Sequence, residues 1–231
     1  RELGVCFSSV KNSTHCGALY PSFKEALDQG YLAIGWTNAD SLLVSFGGNK
    51  ATMGTNPILI ACKAKEKYIS ADMATSIVPW NKIRNAVIND EKIHSSWAVD
   101  EDGNSTSNAK EVALLNPMGS YKGYALAFMF EILTGVISSG PIGKEITPMF
   151  KNKSSRPRKI SHSFILIDKD LFDDEIEDRI LELINMVKKD HVGRDIDTQA
   201  PMYPGEKEEL CLEENRKFGF ELDPQWIERV N

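Results

Sequence analysis

His15 is the first residue in this sequence whose surroundings suggest proton chemistry. It lies in "VKNSTHCGALY", residues 10–20, on a polar, glycine-flanked bend between a strand-like run and a helix-like one. An imidazole with a pKa near 6.5 can take or give a proton around neutral pH. The same position also suits an ordinary loop histidine. A metal ligand is the weakest reading, because His94, His162 and His191 are remote in sequence and no HExxH or Cys/His spacing occurs. Asp40 closes "WTNAD" just after a second strand-like run; a carboxylate there can orient an imidazole or simply close an Asx turn. The loop "FGGNKATMGTNP" combines three glycines with short hydroxyl and amide side chains, so its backbone can approach a ligand closely. "ADMATS" puts Asp72 and Thr75 at a strand end, and "SYKGY" puts Lys122 just before an apolar helix, where an anion is favoured. Against these stand an unremarkable turn and a solvated lysine. The run "KNKSSRPRK", residues 151–159, reads first as a solvated loop and second as an anion site.

The elements that must position these residues alternate loosely between strand and helix, which gives a mixed α/β class of α+β type. "GVCFSSV", "YLAIGWTN", the pair "ILIACKA"/"KYISADMA" and "HSFILIDKD" are strand-like. "YPSFKEALDQG" is helical, with Pro21 near its start and Gly30 as its stop. "WNKIRNAVINDEK" is a second helix, and "SFGGNKATMGTNP" is a long loop. "YALAFMFEILTGVI" is apolar nearly all round and is expected in the core. "DDEIEDRILELINMVKKD" is amphipathic, with Ile176, Ile180, Leu183, Ile184 and Val187 on one face, acids at its start and lysines at its end. A short charged helix follows the irregular "APMYPGEKEE".

The chain has 231 residues, 42% hydrophobic and 26% charged, with a net charge of −6. That size permits a substantial core, and the acidic balance argues against a nucleic-acid surface. No apolar run reaches the roughly 20 residues of a membrane span. Four cysteines without a CxxC pair fit reduced thiols and a cytoplasmic location. No GxGxxG follows a strand and no GxxxxGK[ST] occurs, so pattern alone does not indicate a nucleotide site.

Several ordered pieces nevertheless resemble the malate/L-lactate dehydrogenase family of the non-Rossmann type, with its ureidoglycolate, sulfolactate and diketogulonate relatives and an imine reductase. They are "NSTHCG", "GYLAIGWTNAD", "SFGGNKATMGTNPILIA", "DMATS", "WNKI", "WAVDEDGNST", "KGYALAFMFEILTGV", "SHSFILID" and "YPGEKE", in the family's order from His15 to Glu206. The resemblance implies a non-Rossmann mixed sheet flanked by helices. Residues 1–190 would form the NAD(P)-binding domain, and 191–231 part of a helical domain whose other part lies upstream. It implies a homodimer acting on a small 2-hydroxy or 2-oxo acid, malate first, with NAD as cofactor and NADP open, and no metal. Carried over by position, His15 becomes the acid/base, and the dinucleotide meets Met73, Ala74, Thr75, Lys122, Pro204, Gly205 and Glu206. Asp40 is assigned to steady the His15 imidazolium. Three positions depart from the family pattern: Ala39 replaces a serine, Ser45 a proline and Asn81 a glycine. The resemblance also implies an upstream histidine and a carboxylate-clamping arginine, for which these 231 residues hold no match. The alternative is a non-catalytic cofactor-binding or dimerisation fragment.

Overall fold

A computed structural model describes residues 2–149, 157–189 and 201–220. The main sheet has five strands in the order β1-β9-β2-β5-β6. These are β1 (Val5–Ser13), β2 (Tyr31–Thr37), β5 (Ile58–Ala64), β6 (Lys67–Met73) and β9 (Ile160–Asp168), and every neighbouring pair is antiparallel. A Rossmann domain needs parallel strands with crossover helices, so the non-Rossmann expectation holds. The mixed character lies in a second, smaller sheet, β4-β3-β8-β7, built from β3 (Leu43–Val44), β4 (Ala51–Met53), β7 (Ala98–Val99) and β8 (Leu114–Leu115). There β3 runs parallel to β8 and antiparallel to β4. The expected loop "SFGGNKATMGTNP" is therefore partly a hairpin, because Ala51 and Met53 are buried and carry a strand's alternation across exposed Thr52.

Helix α1 (Tyr20–Asp28) crosses one face of the main sheet. Leu27 and Leu19 pack with Ala33, Leu59 and Ala61 in one buried cluster. Its N-terminus has no side-chain cap from its own first turn. The Tyr20 N–H donates instead to Asp72 Oδ2 at 2.8 Å, across 52 residues. This bond ties the end of β6 to the start of the helix that follows the His15 bend, and it explains Asp72 as a cap. Helix α2 (Trp80–Ile88) buries Ile83 and Ala86 against Val78, Ile93, Ala98 and Leu115, under the small sheet.

Helix α3 (Tyr121–Glu131) continues as a π turn over Ile132–Val136. Its all-round apolar sequence led to an expectation of full burial, and the structure corrects this. Gly123, Ala127, Phe130 and Glu131 face inward, whereas Phe128 and Met129 are 50% and 51% exposed. A helix laid on one layer can bury only the stripe that meets it. In α4 (Ile176–Lys189) the charges follow the helix dipole as expected. Leu183 is exposed, however, and Leu181 is half-buried in its place. Helix α5 (Glu206–Phe218) begins within the expected loop and follows Gly205, whose φ of +93° suits glycine. The expected domain boundary at residue 190 and His191 lie outside the described residues.

Candidate active site

The bend after β1 brings His15 to the open rim of a small cavity of about 110 Å³. Cys16, Gly17, Asn38, Ala39, Asp40, Thr55, Trp80, Met149 and Arg158 complete most of its wall. Five other stretches of chain therefore share one cavity with the imidazole. The Gly17 N–H donates to His15 Nδ1 at 2.8 Å. A neutral ring held this way carries its own proton on Nε2. His15 is exposed on its solvent side, yet the cavity wall still lowers its pKa below the ordinary value. Burial is the first cause and the Arg158 charge the second, opposed by the Asp40 charge.

Asp40 is nearly enclosed, but its hydrogen bonds go elsewhere than to His15. Oδ1 accepts from Arg158 Nη2 in an ion pair, and Oδ2 accepts from the Met149 N–H at 3.3 Å. Asp40 thus acts on the imidazole through its field, at a distance. Arg158 is the residue that sequence reasoning passed over: it belongs to the basic run read first as a solvated loop. Its partner lies 118 positions away, so no local spacing announces the pair. The available signal was a cation placed just before a strongly apolar strand.

A buried amide network sets the loop that carries Asp40. Asn56 accepts the Ala39 N–H at 3.0 Å and donates to Ala127 O and to Glu131 Oε2. Glu131 also accepts the Gly143 N–H at 2.8 Å. Burial pushes the Glu131 carboxyl above its usual pKa range, partly offset by these bonds. Asn38 bolts β2 to β9 through the Ser161 N–H at 2.9 Å. Ala39, one of the expected departures, keeps its backbone bond and lines the cavity.

The expected cofactor residues gather around β6. Met73 ends the strand and is exposed, and Ala74 is half-buried. Thr75 is fully buried; its N–H and its hydroxyl both donate to Thr55 O, at 2.9 and 2.8 Å. Thr55 itself lines the His15 cavity. Thr75 O accepts the Met118 N–H, and a Cβ on Gly123 would lie 2.6 Å from that oxygen. The 73–75 segment and the first turn of α3, with exposed Lys122, are therefore adjacent. Pro204 O accepts the Ser70 N–H at 3.0 Å, which lays 204–206 along the middle of the same strand. Glu206 is engaged there by Lys188 at 2.5 Å and by the Tyr203 N–H. A second cavity, about 350 Å³, lies between Gly47–Gly48 and Ser120 at the start of α3. A larger one, about 640 Å³, lies under α1 against Phe23, Trp36 and Phe164, and none of the expected cofactor residues lines it. Among the described residues no group of three or more His, Cys, Asp or Glu side chains could hold a metal. No helix among them is long and apolar enough to cross a membrane.

The profile of the malate/L-lactate dehydrogenase family matches residues 1–231. The chain belongs to that family. It is 30% identical over 243 residues to the malate dehydrogenase of Pyrococcus abyssi, covering all of this chain and 66% of the relative. It is 29% identical over 173 residues to the ureidoglycolate dehydrogenase (NAD(+)) of Escherichia coli, covering 74% of this chain and 49% of the relative. The solved malate dehydrogenase of Entamoeba histolytica superposes with a TM-score of 0.89 at 26% identity, over 99% of this chain and 67% of that one. The chain thus spans about two thirds of the length of these malate dehydrogenases.

Proposed function

We propose that the protein is an NAD-dependent oxidoreductase that moves a hydride between a nicotinamide and a small 2-hydroxy acid, malate first. The observation that carries this is the His15 cavity. A depressed imidazole and a guanidinium share about 110 Å³, next to the 73–75 segment. That volume lies well below the ~300 Å³ at which sites for drug-sized ligands begin, so it suits an acid of a few carbons. Malate leads because it is the substrate in the Pyrococcus name; ureidoglycolate and sulfolactate stay in contention. The NAD(+) in the name of the Escherichia coli relative supports NAD over NADP. We read the protein as a homodimer.

The residues present fit a dinucleotide. Gly123 lets the start of α3 approach the 73–75 segment, and Lys122 offers an exposed cation on that first turn. Because Glu206 is already paired, residues 204–206 offer backbone groups more than a carboxylate. When bound, the nicotinamide supplies the hydride acceptor or donor. His15 handles the proton. In oxidation Nε2 accepts the hydroxyl proton; in reduction the imidazolium returns it to the forming alkoxide. Both productive forms carry hydrogen on Nδ1, so both require the Gly17 N–H to leave that atom. Gly17 is suited to the movement: its φ is +74° and no atom lies within 4 Å of where a Cβ would be. Asp40 favours the imidazolium through its field while it holds Arg158.

The test is reduction of NAD and NADP by the full natural chain with malate, ureidoglycolate and sulfolactate, beside His15→Ala. Loss of about 10²- to 10⁴-fold in kcat, with NADH binding retained, is the expected result. A folded protein that binds NADH but turns over none of these acids, nor the corresponding 2-oxo acids, would favour the non-catalytic alternative.

A further inference from the structure

We propose that Glu131 is the positioning residue of the His15 cavity: one buried carboxylate ties the loop that carries Asp40 to the segment that anchors Arg158. The inference rests on the dehydrogenase reading above and adds to it the residue that fixes the charges around the base.

The geometry carries it. Glu131 lies on the inward face of α3 and is 6% exposed. Its two oxygens serve two different walls of the cavity. Oε2 accepts from Asn56 Nδ2 at 2.6 Å, and Asn56 Oδ1 accepts the Ala39 N–H, next to Asp40. Oε1 accepts the Gly143 N–H at 2.8 Å. Gly143 opens a short 3₁₀ turn, Gly143–Glu145, and its own carbonyl accepts the Ile146 N–H at the end of that turn. The chain then runs straight to Thr147, whose carbonyl accepts from Arg158 Nε, and to Met149, whose N–H donates to Asp40 Oδ2. Both members of the Asp40–Arg158 pair are therefore placed from one carboxylate. Asn38 Nδ2 adds a tie between the same two walls, to Pro141 O at 3.0 Å. Asn56 Nδ2 and the Gly143 N–H are both donors, so Glu131 must present an acceptor on each oxygen. An ionised carboxylate does this, and a glutamine cannot. The helix widens into its π turn at the very next residue, Ile132. Such turns interrupt the regular ladder and recur at functional positions. His15 responds to burial, to Arg158 and to Asp40. A shift of either wall thus changes the base without touching it.

The experiment replaces Glu131 by glutamine in the full natural chain. Glu131→Gln keeps the size, but its NH2 must face one of the two donors, so one arm breaks. In NADH-linked reduction of oxaloacetate and pyruvate, kcat should fall by up to about 100-fold, the loss that a misplacement of about 1 Å can cause. NADH affinity, read by fluorescence, should change little. The His15 pKa, followed by NMR and assigned with His15→Ala, should rise toward its ordinary value, because a loosened wall admits water and relieves the burial that lowers it. Adding Asn56→Asp to Glu131→Gln sets an acceptor opposite the new NH2 and keeps one for the Ala39 N–H. That double variant should recover much of kcat and return the His15 pKa, although the Asn56 bond to Ala127 O is lost. Thr134→Val is the control for helix stability. It removes a hydroxyl bond to Phe130 O in the same helical segment, so it should lower the urea midpoint and leave kcat unchanged. If a folded Glu131→Gln keeps the parental kcat and His15 pKa, or if Thr134→Val lowers kcat equally, Glu131 serves only the fold and the proposal fails. If Glu131→Gln does not fold, Asn56→Ala cuts the arm to Ala39, leaves the Gly143 arm intact and is read in the same way. A parent that binds NADH yet reduces neither acid would instead overturn the dehydrogenase reading, and the His15 pKa would still decide the role of Glu131.

Discussion

At the scale of single residues, the His15 imidazole is governed by two opposed charges and one backbone N–H. Burial and the Arg158 charge lower its pKa, and Asp40 raises it. The sign follows directly for reduction of a 2-oxo acid, which needs the imidazolium. Activity should be full at low pH and fall as pH rises through the His15 pKa. For kcat/KM, which reports the free enzyme, that limb should lie below the ordinary value of about 6.5. Arg158→Gln removes one of the lowering causes and should raise the kcat/KM limb. A limb that does not move in Arg158→Gln would remove this coupling. His15 was legible in the sequence because it stands inside an ordered set of family-like pieces. Arg158 was not, because burial and pairing over 118 positions leave no local mark.

At the scale of elements, the site depends on how closely a few segments pass. The 73–75 segment and the start of α3 touch through backbone at Gly123. A Cβ there would lie 2.5 Å from Met118 O and 2.6 Å from Thr75 O. Both neighbours are backbone held in hydrogen bonds, so neither can yield cheaply. Gly123→Ala should destabilise the fold by about 1–3 kcal/mol, as overpacking does. It should also weaken NADH binding, because Lys122 and residues 73–75 are forced apart. The urea midpoint and NADH fluorescence titration measure the two effects. An alanine variant with unchanged NADH affinity would separate this contact from the cofactor. The strands of the main sheet, and helices α1, α2 and α4, could be read from apolar runs and end signals in their own sequence. The hairpin that β3 makes with β4, across "SFGGNKATMGTNP", could not, because its strands of two and three residues are too short to show alternation. The cap on α1 was hidden for a different reason: its acceptor, Asp72, comes from another element.

At the scale of the whole molecule, the correction to α3 becomes informative. Leu126 and Met129 are three residues apart and so are neighbours on the helix surface. With Phe128 they leave a large apolar face uncovered, and Val136 and Ile137 extend it along the same helical segment. A contiguous exposed apolar patch of this kind marks a surface that meets protein. The inward face of the same helix carries Glu131 and Ala127, which hold Asn56 and through it the Ala39 backbone beside Asp40. Covering the outer face with a second copy of the chain would therefore steady the loop that carries Asp40 from behind. Phe128→Glu puts a charge on the outer face without touching the inner one. In the full natural chain it should shift the mass measured by light scattering from dimer toward monomer. Turnover per chain should fall with dilution, while the urea midpoint of the isolated monomer changes little, because Phe128 is half exposed already. A parent protein that is monomeric at micromolar concentration would refute the second copy. A Phe128→Glu variant that stays dimeric would place the interface on another face.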